Sequence, residues 1–241
     1  RFDLLAETVA SFLNHMDAPP EAFIVAEDTG DPAAAAALKP LEPTLGKPFT
    51  VLLNRPQLGQ MRSIDKAYAQ VTRPLVFHCE DDWEFFRTGF LAESRRILAA
   101  RPEISMVGLR PRHELNPRVR DSAPLTLEDD RPGGAVPYFE LDPSLHPEYF
   151  SYSFTPGLRR MSDARAIGPF APIGREEDVS YAFKQRGFRI ANLEAPAVRH
   201  IGDGRHVLDP TSRPKPRNLY ERLRRSASKR LKRLGRKLGG E

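Results

Sequence analysis

The sequence predicts an α/β protein in which a central sheet is flanked by helices. Short apolar segments typical of strands alternate with segments of helical periodicity through the first 109 residues. A chain of 241 residues is long enough to bury a substantial core. No apolar run reaches the length of a membrane span and no signal-peptide pattern opens the chain, so we expect a protein that stays inside the cell. The single cysteine, Cys79, fits a reducing compartment.

The first half of the chain predicts alternating helices and strands, with an Ala-rich segment between the first two strands. In the first helix, for example, Leu5, Val9 and Phe12 recur at helical spacing. Such alternation predicts a parallel sheet with helices on both faces. The predicted helices of this half are 4–16, 58–68 and 90–98, and the predicted strands are 23–26, 49–53, 75–79 and 104–109.

The regular pattern stops between Arg110 and Tyr149. Seven prolines and the pair Gly133-Gly134 predict a long irregular loop there, and such loops often bind ligands or act as lids. Regular patterns then return. We expect strands at 149–155, 188–193 and 197–201 and a helix at 176–186.

Three consecutive acids, Glu80, Asp81 and Asp82, follow the predicted strand that begins at Leu75. Adjacent carboxylates repel one another and raise each other's pKa unless a cation lies between them, and their oxygens are preferred ligands of Mg²⁺ and Mn²⁺. At the carboxyl end of a strand they would face the crevice where open α/β sheets bind ligands. A solvated acidic turn before the next helix is the alternative interpretation, and these residues alone do not decide between the two.

The C-terminal segment carries most of the positive charge. From Arg213 onward, twelve Lys and Arg stand against two Glu, a local charge of +10 within a total of +5, which leaves −5 for residues 1–212. The high isoelectric point therefore comes from the tail, and nothing indicates nucleic acid in the central cleft.

The same segment predicts an amphipathic helix over 214–241. Prolines separate it from the body, and leucines and one alanine form a narrow apolar stripe on an otherwise cationic surface. This pattern suits binding to an anionic membrane, and we expect the helix to project from the body without packing into the core. A solvated basic tail and an RNA-binding tail are the alternatives. The stripe residues are Leu219, Leu223, Ala227, Leu231, Leu234 and Leu238.

Several motifs occur in an order that resembles the GT-A glycosyltransferases, in particular the inverting, family 2-like enzymes. They are Glu27-Asp-Thr-Gly-Asp31, the segment 54–65, Glu80-Asp-Asp82 and Gly174-Arg-Glu-Glu-Asp178. The resemblance covers about residues 1–205. It implies a Rossmann-like mixed sheet flanked by helices whose usual first strand is absent from this chain. It also implies a transferase domain over 1–209, with a donor half (1–109) and an acceptor half (110–209), followed by a linker and basic tail (210–241).

The resemblance implies a nucleotide-binding role for three residues of the donor half. Asp28 would bind the base and ribose of a nucleotide-diphosphate sugar, and Arg62 and Asp65 would approach the nucleotide. Asp stands at 65 where the family more often has Asn. An aspartate in an ordinary turn is the alternative interpretation of Asp28.

The acidic cluster matches the family's Asp-x-Asp element, although Glu80 replaces its first aspartate. By that match Asp82 would bind Mn²⁺ or Mg²⁺, Glu80 would approach the sugar or ribose, and Asp81 would contact the metal or the donor. His200 would complete binding of the metal or the diphosphate, with His206 as a weaker competitor.

In the family, the second acid of a Glu-Asp pair deprotonates the acceptor hydroxyl. Asp178 is therefore the expected base, and Glu177 the alternative; simple capping of a helix N-terminus is the non-catalytic interpretation. The implied acceptor is a glycan or a lipid-linked molecule, and the implied place is the cytoplasm or the inner face of the plasma membrane. Two rival functions are a glycoside hydrolase that uses Asp82 and Asp178 as its carboxylate pair, and an inactive, membrane-recruited module.

Overall fold

A computed structural model describes residues 1–128, 134–205, 210–211 and 219–238. Within these residues the chain is a mixed α/β protein, and none of the described helices is both long enough and apolar enough to cross a membrane. The helices are α1 (Phe2–His15), α2 (Ala33–Leu38), α3 (Glu42–Leu45), α4 (Gln60–Tyr68), α5 (Phe90–Ala100), α6 (Met161–Ile167), α7 (Glu176–Gln185) and α8 (Leu219–Leu238). The strands are β1 (Ile24–Glu27), β2 (Thr50–Leu53), β3 (Leu75–His78), β4 (Trp83–Phe85), β5 (Ile104–Gly108), β6 (Pro124–Leu127), β7 (Val136–Leu141), β8 (Gly157–Arg160), β9 (Arg189–Leu193) and β10 (Val198–His200).

The described strands form one six-stranded sheet and two strand pairs. The large sheet has the order β3-β8-β5-β9-β7-β6, while β1 pairs with β2 and β4 pairs with β10. The prediction of a parallel sheet is wrong for the large sheet, where β5 and β9 are the only described neighbours that pair in parallel. The cause is that β8 is inserted antiparallel between β3 and β5, and that β7 pairs antiparallel with β9. The mixed sheet flanked by helices, which the resemblance implies, is confirmed.

The segment from Arg110 to Tyr149 is not the irregular loop that its prolines predict. It contains β6 and β7, which pair antiparallel and extend the sheet beyond β9. The side chains of Val136, Tyr138 and Phe139 are buried there, so β7 belongs to the core. Pro137 fits because it is exposed and is only the second residue of β7, where it pairs with Thr126.

One further prediction needs correction in the acceptor half. Residues 149–155 form no strand, although Phe150, Tyr152 and Phe154 are buried. The strand lies just after them as β8, which begins at Gly157. Gly157 is required there because a Cβ atom would lie only 2.4 Å from the carbonyl oxygen of Val107 on β5.

Two apolar cores lie on the two faces of the large sheet. Met106 belongs to one and its neighbour Val107 to the other, and Ile190 and Ala191 divide in the same way. Successive side chains of a strand point to opposite faces, so β5, β7 and β9 each contribute to both cores. The first core contains α1 and α5 residues and the second contains α7 residues, which explains why these helices carry apolar faces.

Candidate functional site

The acidic cluster lies where the sequence predicts it, directly after β3 and before β4. The carboxylate of Glu80 accepts a hydrogen bond of 3.3 Å from the indole N–H of Trp83. Burial raises the pKa of Glu80 to about 7, and the nearby charges of Asp82 and Glu176 act in the same direction. Burial also raises the pKa of Asp81. The cluster is therefore not a solvated turn, because these carboxyl groups are partly buried and their charges repel one another.

A cation does lie beside the cluster, as mutual repulsion of the acids requires. The guanidinium group of Arg1 donates hydrogen bonds to Asp81 and to Asp82, the latter over 3.3 Å. Arg1 also contacts the backbone carbonyl of Arg205. In this structure an arginine side chain thus supplies the positive charge next to two of the three carboxylates.

The structure brings His200 to Asp82. The pairing of β10 with β4 sets His200 opposite Trp83, and the Nε2 atom of the imidazole lies 3.4 Å from Oδ2 of Asp82. The other ring nitrogen lies 3.1 Å from a carboxylate oxygen of Asp203. Gly202 packs against the carboxylate of Asp82, where an added Cβ atom would lie 2.6 Å from Oδ2. Asp82 is therefore enclosed by β10 and the turn that follows it.

The pair Asp82 and His200 fits a divalent metal in donor chemistry. A carboxylate oxygen and an imidazole nitrogen are ordinary ligands of Mn²⁺, and a histidine held at its second nitrogen by a carboxylate is a common arrangement at metal sites. In the part of the chain that the structure describes, no group of three or more His, Cys, Asp or Glu is arranged to hold a metal. Further ligands would have to come from a bound diphosphate or from water. His206, the weaker candidate, lies outside the described residues.

A cleft of about 470 Å³ opens beside this pair and is lined by Trp83, Arg110, Glu114, His200 and Asp203. The guanidinium carbon of Arg110 lies 5.4 Å from the centre of the Trp83 ring. Its Nε atom and the Oε2 atom of Glu114 are buried and 3.6 Å apart, and neither has a hydrogen-bond partner among the described residues. Sequence reasoning missed Arg110 and Glu114, because both lie in the segment that was predicted as an irregular loop.

Asp28 has a structural environment that the sequence does not reveal. Its carboxylate accepts hydrogen bonds from the backbone N–H groups of Leu58 and Gly59 and from the side chains of Asn54 and Ser63, over 2.7–3.0 Å. Burial raises the pKa of Asp28, but these hydrogen bonds outweigh it and lower the pKa below its usual value. Asp28 thus fixes the turn before α4, whether or not it also contacts a ligand.

Asp65 also makes structural contacts with the backbone, whereas Arg62 does not contact the same backbone groups. Both oxygens of Asp65 accept hydrogen bonds, of 2.7 and 2.8 Å, from the backbone N–H groups of Phe170 and Ala171. This contact ties α4 to the loop before α7. The Arg62 side chain is exposed on α4. The three nucleotide residues implied by the resemblance therefore gather around α4, with Asp28 and Asp65 engaged in holding the backbone.

The acidic run at the start of α7 divides between different neighbours. Glu176 accepts hydrogen bonds from the Ser153 hydroxyl over 2.8 Å and from the Phe154 N–H over 3.2 Å, and its charge acts on Glu80. Burial is the main cause that raises the pKa of Tyr149 to about 12, and the charge of Glu177 acts in the same direction. Asp178 accepts a hydrogen bond from the backbone N–H of Arg175 over 3.2 Å, which caps the helix.

Asp178 and the neighbouring Glu148 are covered by α8. Lys232 and Arg236 both donate to Oδ1 of Asp178, Arg236 over 2.5 Å, and Arg233 and Arg236 donate to Glu148 over 3.1 and 2.8 Å. The side chains of Asp178 and Glu148 are only 15% and 6% exposed. The prediction that the helix projects from the body is thus wrong, although the leucines of α8 whose side chains are described, Leu223, Leu231 and Leu234, do stay out of the core.

The contact with α8 changes the electrostatics of Asp178. Burial raises the pKa of Asp178, but hydrogen bonds from Lys232, Arg236 and the Arg175 backbone outweigh it and lower the pKa below the usual 3.8. The carboxylate is therefore ionised and held in ion pairs.

Comparison with known proteins adds no relative. No known family matches the chain, and no curated protein is similar to it.

Proposed function

We propose that this chain is a metal-dependent, inverting GT-A-type glycosyltransferase that moves a sugar from a nucleotide-diphosphate donor to an acceptor hydroxyl. The observation that carries the proposal is the 3.4 Å approach of His200 to Asp82, inside an acidic cluster and beside a cleft that contains Arg110. A carboxylate and an imidazole can share a divalent ion, and an arginine can bind the oxygens of a diphosphate. The three groups thus suit a bound nucleotide diphosphate.

Each residue has a distinct role in this proposal. Asp82 and His200 would hold Mn²⁺ or Mg²⁺, which when bound stabilises the negative charge of the departing diphosphate by Lewis-acid action. Arg110 would pair with phosphate oxygens, which gives its buried Nε a hydrogen-bond acceptor. Glu80 and Asp81 would orient the sugar, with Arg1 displaced or turned away from the carboxylates.

The acceptor hydroxyl needs a base, and α7 supplies the candidates. Asp178 is the base by resemblance, with the acceptor oxygen attacking the anomeric carbon as its proton moves to the carboxylate and the nucleotide diphosphate leaves. Glu176 is the acid of this run whose charge acts on Glu80, so it deserves the same test as Asp178 and Glu177. Ion pairing with α8 would have to be broken before Asp178 could accept a proton.

The proposed acceptor is a glycan or a lipid-linked molecule, and the segment 110–149 is its proposed binding region. Both ends of the segment 110–149 contact site residues, since Arg110 lines the cleft and Glu148 shares Arg236 with Asp178. The exposed leucines and cations of α8 suit an anionic membrane surface, such as the inner face of the plasma membrane. We include that surface as a proposed partner.

The proposal is tested by metal-dependent binding of the donor. Thermal unfolding should be measured with a panel of nucleotide-diphosphate sugars, with and without Mn²⁺. At least one donor should raise the melting temperature only when Mn²⁺ is present. Asp82→Asn should abolish this rise, whereas Asp121→Asn, which makes the same charge change at an exposed position, should leave it intact.

Assays of glycoside hydrolysis and of sugar transfer, added to the binding test, separate the rival functions. A glycoside hydrolase would release sugar from a glycoside without nucleotide or metal. An inactive module would bind the donor and metal without turnover. If neither the donor panel nor Mn²⁺ stabilises the protein, the glycosyltransferase proposal fails.

A further inference from the structure

The helix α8 has two unlike faces, and only one of them touches the protein. Lys232, Arg233 and Arg236 contact the body, and Arg233 and Arg236 are the only side chains of α8 among those described that are not exposed. Leu231 and Leu234 lie on the opposite side at 100° per residue, and they are 70% and 54% exposed. The helix is therefore attached by its cations and not by its apolar stripe.

The contact surface on the body is small and acidic. Two carboxylates, Asp178 and Glu148, receive all four ion-pair contacts, and the guanidinium carbon of Arg236 lies 4.3 Å from the centre of the Tyr181 ring. None of the apolar side chains of α8 that the structure describes belongs to either core. Attachment of this kind depends on charge, so a competing anionic surface can replace it.

We propose that α8 is a removable cover, which closes over Asp178 and Glu148 and is displaced by an anionic lipid surface. In the covered form Lys232 and Arg236 occupy the Asp178 carboxylate and keep other molecules from it. The statement that α8 covers a catalytic base rests on the proposed function. The statement that α8 covers Asp178 and Glu148 does not depend on that function.

An anionic lipid surface is the competitor that fits the helix best. The helix contains nine Lys and Arg against one Glu, so two carboxylates of the body neutralise only a part of its charge, whereas a lipid surface offers many anionic groups. The exposed leucines gain burial in the lipid and gain none on the body. The remainder of the chain, residues 1–212, has a charge of −5 and is repelled by the same surface. All three effects separate α8 from Asp178.

The test is carboxyl footprinting of the whole chain. A water-soluble carbodiimide with glycinamide modifies accessible carboxylates, and mass spectrometry reports the extent at Asp178 and Glu148. Labelling should be low in buffer and with phosphatidylcholine vesicles. It should rise on the order of tenfold with vesicles of equal parts phosphatidylcholine and phosphatidylglycerol, and also in buffer for the variant Lys232→Glu/Arg236→Glu, as expected when several ion pairs are lost.

A matched control separates the contact from charge alone. Arg224→Glu/Lys229→Glu makes the same charge change at exposed positions of α8 that contact neither carboxylate, so in buffer its labelling should stay low. Equal labelling of Asp178 in the native chain and in Lys232→Glu/Arg236→Glu would overturn the cover. Protection that persists on anionic vesicles to which the protein co-sediments would overturn the displacement by lipid. If the donor-binding test contradicts the glycosyltransferase function, both footprinting results stay valid, because they measure only the exposure of Asp178 and Glu148.

Discussion

At the scale of single residues, the structure contains a buried cation that the sequence does not reveal. Arg159 on β8 is fully buried, and its guanidinium group donates to the backbone carbonyls of Ser153, Thr155 and Gly157 over 2.5–2.9 Å. Arg159 thereby supplies the hydrogen bonds that a strand at 149–155 would have given the carbonyls of Ser153 and Thr155. The position of the segment before β8, in which Ser153 and Phe154 donate hydrogen bonds to Glu176, therefore depends on the Arg159 side chain.

Replacing Arg159 by Met should lower the free energy of unfolding by about 3 kcal/mol, because three carbonyls lose their partner in a buried place. Urea unfolding would measure the loss. Arg165→Met removes an exposed arginine from α6 and should change stability by less than about 0.5 kcal/mol. A loss of that small size for Arg159→Met as well would show that the carbonyls find other partners.

A second residue, His78 on β3, makes stability depend on pH. Burial lowers the pKa of His78 well below its usual 6.5, with a further contribution from Arg159, and its Nδ1 atom lies 3.2 Å from the Tyr68 hydroxyl. The folded protein therefore keeps this imidazole neutral where the unfolded chain protonates it. The contribution of His78 to the free energy of unfolding is therefore fully present above pH 6.5 and decreases as the pH falls below that value.

The expected slope from His78 is about 1.4 kcal/mol per pH unit below pH 6.5. His78→Asn, which cannot be protonated, should remove this slope from the pH dependence of the unfolding free energy. His113→Asn changes an exposed histidine and should leave it unchanged. The measurement is chemical denaturation at a series of pH values, and identical slopes for all three proteins would contradict the assignment.

At the scale of elements, helix starts decide where the acids of the site point. The Asp28 carboxylate fixes the turn before α4, and Asp65 on α4 holds the loop that leads to α7. At the start of α7, Glu176 and Asp178 then accept hydrogen bonds from different backbone segments. Three consecutive acids thus obtain three environments, because a helix turns by about 100° per residue.

We expect Asp178 to be the base once α8 is displaced. With anionic vesicles present, Asp178→Asn should lower turnover by about 10²–10⁴-fold and leave donor binding nearly unchanged. Glu177→Gln is the matched control, since it removes one neighbouring charge from the same helix. Steady-state kinetics with a soluble acceptor would decide. If Glu176→Gln or Glu177→Gln is instead the inactive variant, the role belongs to that residue.

At the scale of the whole molecule, charge separates the chain into an acidic body and a basic helix. The body has a charge of −5 and the last segment +10, and the contacts of α8 are ion pairs. Two properties follow for the attachment of α8. It should weaken with salt, and it should respond to the protonation of Asp178.

Salt should release α8 from the body. The Debye length falls from about 10 Å at 0.1 M to about 3 Å at 1 M, so ion pairs between partly exposed groups are screened. Amide hydrogen exchange within residues 219–238 should accordingly be faster at 1 M than at 0.1 M sodium chloride. Exchange in α1, which packs by apolar contacts, is the internal reference and should change little. Salt-independent protection of α8 would contradict an electrostatic attachment.

Acid should release α8 only well below neutral pH. The pKa of Asp178 is lowered in the attached state, so the attachment is fully present above the usual pKa of 3.8 and is lost as the pH falls through the lowered value. Footprinting is unsuitable there, so the distance between α8 and the body should be followed by fluorescence transfer between labels at Ser228 and Ser144. A transition near pH 6–7 would point to another group.

The sequence alone determined those features that depend on neighbours in the chain. Apolar periodicity located α1, α4, α5, α7 and α8 to within a few residues, and it located β1, β2, β3, β5, β9 and β10 as well. The acidic cluster after β3 and the acidic start of α7 were predicted for the same reason. Helical and strand periods and helix capping are short-range effects, so a window of ten residues contains them.

Only the tertiary structure decided which distant residues meet. The pairing of β4 with β10 brings His200 to Asp82, the insertion of β7 places a proline-rich segment in the core, and the ion pairs of α8 cover Asp178. None of these contacts has a local signal, because strand partners and ion-pair partners are selected by burial and charge across the whole molecule. The sequence therefore indicated which groups could do chemistry, while the fold determined which of them share a cleft and which lie under a helix.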